Sequence, residues 1–303
     1  MTLGTMAASV RVPSRTKPTA WRKMMQFAAT QPLGAAGLVT VLVMAIAGAL
    51  APYIAPYDPV AISFSDMLAP PSWEHPLGTD NFGRDILSRI LYGARTAIVM
   101  GLVSALIGST LGAILGVVSA YFGGVIDLLI QRAVDIFLSL PIIVLALVVV
   151  AMLGRNLVLG FDFNLILAIS IPIVPQVARV VRSSALSIRE MAYVDAARVA
   201  GYSTRRIIFR HMAPNLMAPY LIMLTAFIAQ AILLEASLSF LGLGVTEPSP
   251  AWGLMLAGNA VDFYRQAPWM IIFPGLAISL AVFSFNLLGD SLRDWLDPKA
   301  RLR

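Results

Sequence analysis

Six long stretches without Asp, Glu, Lys or Arg constrain this chain more than any other feature. They cover residues 24–57, 96–126, 136–154, 163–178, 211–234 and 266–289. A helix that crosses the hydrocarbon core of a bilayer needs about 20 apolar residues. Five stretches meet that length, and 163–178 does so if Phe161 extends it and Arg179 reaches towards the headgroups. The sequence therefore predicts six transmembrane helices, at 33–54, 97–120, 137–154, 163–181, 216–238 and 269–288.

The composition agrees with a membrane protein and excludes several functions. Hydrophobic residues make up 58% of the chain and charged residues only 13%, whereas about a quarter of a soluble domain is charged. The absence of cysteine excludes disulfides and thiolate metal sites, and two histidines leave little for imidazole-based metal or acid–base chemistry. No phosphate-binding loop, nucleophile elbow or zinc-protease motif occurs. We therefore predict an all-α membrane protein without covalent chemistry, cofactor or metal.

The basic residues predict the orientation of the six-helix bundle. Of the 22 Lys and Arg residues, 17 lie in the N-terminal tail, at Arg132, in the stretch 179–210 and in the C-terminal tail, which the predicted helices place on one side. Because such clusters remain in the cytoplasm, both termini are predicted to be cytoplasmic, and nucleic acid is not expected as a partner. The predicted organisation is a tail at 1–32, a first helix at 33–54, an extracytoplasmic loop at 55–95, a five-helix core at 96–290 that includes a cytoplasmic segment at 182–215, and a tail at 291–303.

The cytoplasmic segment 182–215 contains a predicted helix over 187–200 that ends at Gly201. Ser203 is placed to cap a second helix over 204–211, which Pro214 is expected to end. The first helix combines small and apolar side chains, namely Ala192, Ala196, Ala197 and Ala200 with Met191, Val194 and Val199. Such a helix fits docking of a cytoplasmic protein, or packing on the base of the bundle itself. Periodicity alone does not separate the two.

Charged and glycine residues near the outer ends of helices are further candidates. Glu235 lies about 28 Å along the fifth predicted helix, near the outer interface. It could be a pathway residue, or a carboxylate at the helix end that is hydrogen-bonded within the bundle. Gly242 and Gly244 could form a tight turn, a close helix crossing or a pathway wall.

Arg84 and Asp85 are adjacent and point about 100° apart on a helix, so they are not expected to share one partner. Asp135 is expected to pair with Arg132, three residues before it.

Several motifs together identify a resemblance. Asp195-Ala196-Ala197 is followed by Gly201 and, thirteen residues later, by Pro214. This resembles the EAA motif of ABC (ATP-binding cassette) importer permeases, with Asp195 in place of Glu, His211 in place of Ile and Ala213 in place of Leu. Residues 75–80, 83–89, 236–244, 251–253 and 286–298 resemble other stretches of the dipeptide, oligopeptide and nickel permeases. The long tail and first helix resemble the second, C-type permease of the pair.

The resemblance implies a subunit of a heteromeric importer in the bacterial inner membrane. Its partners would be a second homologous permease, two ATP-binding-cassette ATPases and an extracytoplasmic substrate-binding protein. It implies that Asp195, Ala196, Ala197, Arg198, Gly201 and Pro214 couple the permease to the ATPases. The expected cargo is small peptides, with nickel chelates, glutathione or another solute as alternatives. A secondary transporter is a further alternative.

Overall fold

The computed structural model describes residues 20–158 and 160–296, which form helices with one short β-hairpin. The N-terminal half contains α1 (Ala20–Thr30), α2 (Pro32–Ile54), a 3₁₀ turn (Phe64–Asp66), α3 (Ile86–Phe122), α4 (Gly124–Leu138), α5 (Ile142–Leu153), β1 (Leu157–Val158) and β2 (Phe161–Asp162). The C-terminal half contains α6 (Phe163–Ser170), α7 (Ile173–Arg189), α8 (Ala192–Val199), α9 (Thr204–Arg206), a π-helical turn (Ile207–Met212), α10 (Ala213–Phe240), α11 (Trp252–Met255), α12 (Asn259–Asp262) and α13 (Trp269–Leu296). The antiparallel hairpin pairs Leu157 with Asp162 and Val158 with Phe161.

Within the described residues, four helices are individually long and apolar enough to cross a membrane, and six spans result if each of two bent pairs counts as one. The single helices are α2, α3, α13 and the continuous helix over 204–240. The bent pairs are α4 with α5, at 95°, and α6 with α7, at 42°. Apolar helices of this kind confirm the predicted all-α membrane fold. Most of the predicted tails 1–32 and 291–303 lies outside the described residues.

Two helix boundaries differ from the predicted spans for identifiable reasons. Helix α3 begins at Ile86, inside the predicted outer loop, because the Asp85 side chain caps it by accepting a hydrogen bond from the Ser88 N–H (2.8 Å). The third predicted span breaks before α5, where Pro141 follows Leu140, because the residue before a proline is disfavoured in helical geometry.

The core of the bundle is the crossing of α3 with α7. Gly108, Gly112 and Gly116 recur at four-residue spacing and form one stripe along α3. A Cβ at Gly112 would lie 2.6 Å from the carbonyl oxygen of Val174, and one at Gly116 the same distance from that of Ala178. Because glycine has no side chain, this stripe lets the two backbones approach closely, as small residues do in membrane helix pairs.

Candidate functional site in the cytoplasmic segment and the outer cap

The first predicted helix of the cytoplasmic segment, at 187–200, is divided between two helices. Helix α7 continues to Arg189, the chain leaves helical geometry at Glu190 and Met191, and α8 begins at Ala192. This break reorients α8, so that Val194 and Ala197 are buried at 0% and 4% exposure. One face of α8 therefore packs on the base of the bundle, as one of the two alternatives predicted, and the other face is exposed, so docking of a cytoplasmic protein there stays a prediction.

The exposed face of α8 contains Asp195, Ala196 and Arg198. Asp195 accepts a hydrogen bond from Arg198 Nη1 at 2.7 Å, so the acid and the base neutralise each other on the surface. Ala197, which the motif placed beside them, instead faces inward against the rest of the chain. A partner could therefore contact Asp195, Ala196 and Arg198 directly, whereas Ala197 supports the position of the helix.

Gly201 forms the turn that follows α8. Its φ of 74° lies in the left-handed region, and its N–H bonds the carbonyl of Arg198 at 2.9 Å. The next residue, Tyr202, bonds its N–H to the carbonyl of Ala197 (3.1 Å) and stacks its ring on His211 at 5.8 Å between centroids. The guanidinium of Arg206 lies over the Tyr202 ring, 4.1 Å from its centroid. The turn thus directs the chain from α8 back onto the base of α10.

The prediction that Pro214 ends a helix is wrong. Helix continues from Thr204 to Phe240, and Pro214 lies in the first turn of α10, directly after the π-helical turn. A wider π turn relieves the clash between a proline ring and the preceding turn and accommodates its missing N–H. Ser203 does begin this helix, but its hydroxyl makes no capping hydrogen bond. Pro214 is exposed, and its neighbour Asn215 bonds the Tyr193 hydroxyl at 3.0 Å, which ties α8 to α10.

Ion pairs connect α7 to the α3–α4 elbow. Arg182 donates two hydrogen bonds to Asp127, from Nε at 2.6 Å and from Nη2 at 2.5 Å. Arg189 Nη1 donates to the carbonyl of Ala120 at 2.8 Å. Asp135 pairs with Arg179 on α7, so the predicted pair with Arg132 is wrong. These bonds hold α7 against the α3–α4 elbow, which the sequence did not indicate because the partners lie 44 to 69 residues apart.

The candidate pathway residues lie together at the outer end of α10. Glu235 is 1% exposed and accepts a hydrogen bond from the Ser239 hydroxyl at 2.7 Å. The same hydroxyl accepts from the Val245 N–H at 3.0 Å. Gly242 has a φ of 79°, and the N–H of Gly244 bonds the carbonyl of Leu238 at 2.9 Å. This geometry favours a helix end and tight turn, and a role of these residues in the pathway stays a prediction.

A second polar cluster lies around Arg84 in the outer cap, by which we mean the loop before α3 (55–85) and the loops and short helices between α10 and α13 (241–268). Its Nε donates to Asp80 at 2.6 Å, and its two Nη atoms donate to Glu247 at 2.6 and 3.3 Å. Burial disfavours the charged guanidinium, but these hydrogen bonds outweigh it and raise the pKa of Arg84 above its ordinary value. Asp85 instead pairs with His75 Nδ1 at 3.0 Å. Arg84 and Asp85 thus have separate partners, as predicted, and sequence reasoning missed Glu247 because it lies 163 residues away.

Replacing Arg84 with alanine is expected to lower the amount and thermal stability of the permease far more than replacing Arg95. The Arg84 and Asp80 side chains are 8% and 9% exposed, and removing one partner of a buried ion pair costs about 3–5 kcal/mol. Arg95 is exposed and lies 5.8 Å from the Phe161 ring centroid, so Arg95→Ala serves as the control. Membrane quantification and melting of the purified variants measure the difference. Equal, near-normal values for both would contradict a structural role for Arg84.

A helical membrane bundle with a folded, partly exposed cytoplasmic segment defines the class of polytopic transport permeases, and comparison with known proteins agrees. Residues 108–302 match the family described as binding-protein-dependent transport system inner membrane component. Residues 19–71 match the N-terminal transmembrane domain of oligopeptide transport permease C. The chain belongs to this family of inner-membrane permeases.

Individual relatives extend over most of the chain. It is 46% identical over 271 residues to the dipeptide transport system permease protein DppC of Escherichia coli (strain K12), with 88% of each protein covered. It is 39% identical over 295 residues to the di/tripeptide transport system permease protein DppC of Pseudomonas aeruginosa (strain UCBPP-PA14), with 95% of each covered. A solved structure of the methionine ABC transporter MetNI is similar in fold, with a TM-score of 0.56 at 17% identity over 70% of this chain and 98% of that one. The chain is therefore a multi-pass protein of the bacterial inner membrane.

Proposed function

We propose that this chain is one of two permease subunits of an ATP-driven importer, forms half of the pathway for small peptides, and has no ATPase site of its own. The exposed face of α8 is the observation that carries the proposal. The basic residues around it predict that this face lies in the cytoplasm. A cytoplasmic protein that docks there can move the bundle through α8.

Apolar side chains near α8 support a protein partner. Val199 is 90% exposed and Phe209 is 69% exposed, and both lie among the arginines of the segment 198–210. Large apolar side chains exposed to water in such a cluster are typical of interaction surfaces. The pairing of Tyr193 with Asn215 and the stack of Tyr202 on His211 hold the surface rigid. A rigid docking surface transmits displacement of a bound ATPase to α7 and α10.

The proposed mechanism follows from these connections. ATP-driven closure of two ATPases displaces α8, and the displacement reaches the α3–α4 elbow through Arg182 and Asp127. The α3–α7 crossing then moves as one unit, because its backbones are in close contact. Alternation of the bundle between inward- and outward-facing states would admit a peptide delivered by an extracytoplasmic binding protein. The names of two relatives, which are DppC permeases of di/tripeptide and dipeptide transport systems, support a peptide as the cargo.

Reconstitution into proteoliposomes tests the proposal. Uptake of radiolabelled leucyl-leucine is expected to require ATP, both ATPases, the second permease and the binding protein, and to stop when any one is omitted. Competition by unlabelled glutathione or a nickel chelate identifies either as the preferred cargo instead. Uptake that continues without the ATPases and follows an ion gradient would contradict the proposal and indicate secondary transport.

A further inference from the structure

The outer cap contains a half-open cavity of about 300 Å³ between the loop before α3 and the loops that connect α10 to α13. Its lining combines charged and apolar side chains, which we call the charged wall and the apolar wall. The charged wall contains Arg84, Arg89 and Glu247, and the apolar wall contains Leu254, Met255 and Met270. This volume lies at the lower end of the range for ligand pockets, which suits a molecule of one or two amino-acid residues.

Arg89 is the unusual member of the charged wall. Its side chain is 1% exposed, and although Asp80 Oδ2 lies 4.0 Å from its Nε, no acceptor among the described residues lies within hydrogen-bond distance of that nitrogen. Its Nη1 donates to the carbonyl of Pro59 at 3.0 Å, and its Nη2 lies 3.6 Å from Glu247 Oε2, beyond a good hydrogen bond. A guanidinium has five N–H donors, and a buried cation with unused donors is costly. Asp80 and Glu247 therefore balance the charge of Arg89 from 4.0 and 3.6 Å, but neither is close enough to use the hydrogen-bond donors at Nε and Nη2.

Glu247 provides the complementary charge. Its side chain is 49% exposed, so lone pairs that Arg84 does not use are open to the solvent side of the cavity. Asp80 differs, because its carboxylate is 9% exposed and already accepts from the N–H groups of Phe82 and Arg84 and from Arg84 Nε. The charged wall therefore offers a ligand unused hydrogen-bond donors at Arg89 and unused acceptor lone pairs at Glu247.

From this arrangement we infer that the cavity binds a small zwitterion with an apolar side chain. Its carboxylate accepts from Arg89, its ammonium donates to Glu247, and its side chain packs against Leu254, Met255 and Met270. Arginine favours carboxylate because its planar donors match the two oxygens. The inference rests on the proposed function in one respect, since it takes the cargo to be a short peptide that arrives at the outer face. The cavity would then hold the peptide after its release from the binding protein.

Equilibrium binding to the assembled transporter tests this site. The nucleotide-free complex in detergent, without the binding protein, is expected to bind radiolabelled leucyl-leucine saturably, with one site per copy of this permease. Arg89→Gln is expected to weaken binding about tenfold or more, as loss of a hydrogen bond to a charged group does. Arg265→Gln, at an exposed arginine whose Nε bonds Tyr264 outside the cavity, is the matched control and should bind normally.

A competition series on the unaltered complex needs no variant and so does not depend on folding of Arg89→Gln. Leucyl-leucine amide and N-acetyl-leucyl-leucine, which lack the carboxylate and the ammonium respectively, should compete about tenfold less well, and glycyl-glycine should also compete poorly. Equal competition by all three would overturn the inference. A complex that imports leucyl-leucine with ATP but binds none without the binding protein overturns this inference alone. A complex that binds it but imports without need of ATPases overturns the proposed function instead.

Discussion

Replacing Gly201 with valine is expected to abolish ATP-dependent uptake while the permease stays in the membrane in its normal amount. Gly201 has a φ of 74°, and apart from its chain neighbours no atom of the described residues lies within 4 Å of the position where its Cβ would be. Valine therefore meets no clash with distant parts of the described structure, but the left-handed backbone costs a residue with a Cβ roughly 1–2 kcal/mol, and more when it is β-branched. The turn changes, Tyr202 leaves His211, and α8 presents its surface at a different angle. Co-purification of the ATPases and uptake in proteoliposomes measure the effect.

Gly201→Asn is the matched control for that variant. Asparagine tolerates the left-handed region better than other residues with a Cβ, so this variant should keep most of the uptake. A second control separates docking from folding. Ala196→Trp adds bulk to the exposed face and should reduce ATPase retention at normal permease levels, whereas Ala197→Trp overfills a buried position and should lower the amount of protein. Normal retention and uptake in Gly201→Val and Ala196→Trp would refute the docking surface.

Replacing Gly112 with leucine is expected to prevent accumulation of folded permease. The new Cβ would lie 2.6 Å from the Val174 carbonyl oxygen and 2.8 Å from the Val177 Cβ, and neither backbone can shift without separating α3 from α7. Overpacking a core typically costs about 1–3 kcal/mol, and contact with backbone rather than a flexible side chain places this case at the upper end or beyond. Quantification of the protein in membranes and gel filtration of the purified complex measure the loss.

Gly275→Leu in α13 is the matched control for the helix crossing. Apart from the neighbouring turns of α13 itself, no atom of the described residues lies within 4 Å of a Cβ at Gly275, and leucine is favoured over glycine in a helix. This variant should accumulate normally, although it introduces the same side chain into an apolar membrane helix. Comparable amounts of both variants would show that α3 and α7 do not need close backbone contact.

The sequence alone determined the features that depend on local composition and period. Uncharged stretches gave the spans, because the bilayer excludes charge over a fixed thickness. The distribution of Lys and Arg predicts the orientation, and Gly201 marked the end of a helix because glycine accepts positive φ without a Cβ penalty.

Only the tertiary structure decided which partners these elements have. Glu247 pairs with Arg84 from 163 residues away, and Arg182 pairs with Asp127 from 55 residues away. Neither pair is encoded in a spacing that a helix or strand would repeat. The inward position of Ala197 depends on the break before α8, and the helix passes Pro214 because a π turn precedes it. Local sequence fixes where helices begin and which residues could bond, but burial and pairing depend on how distant helices pack together.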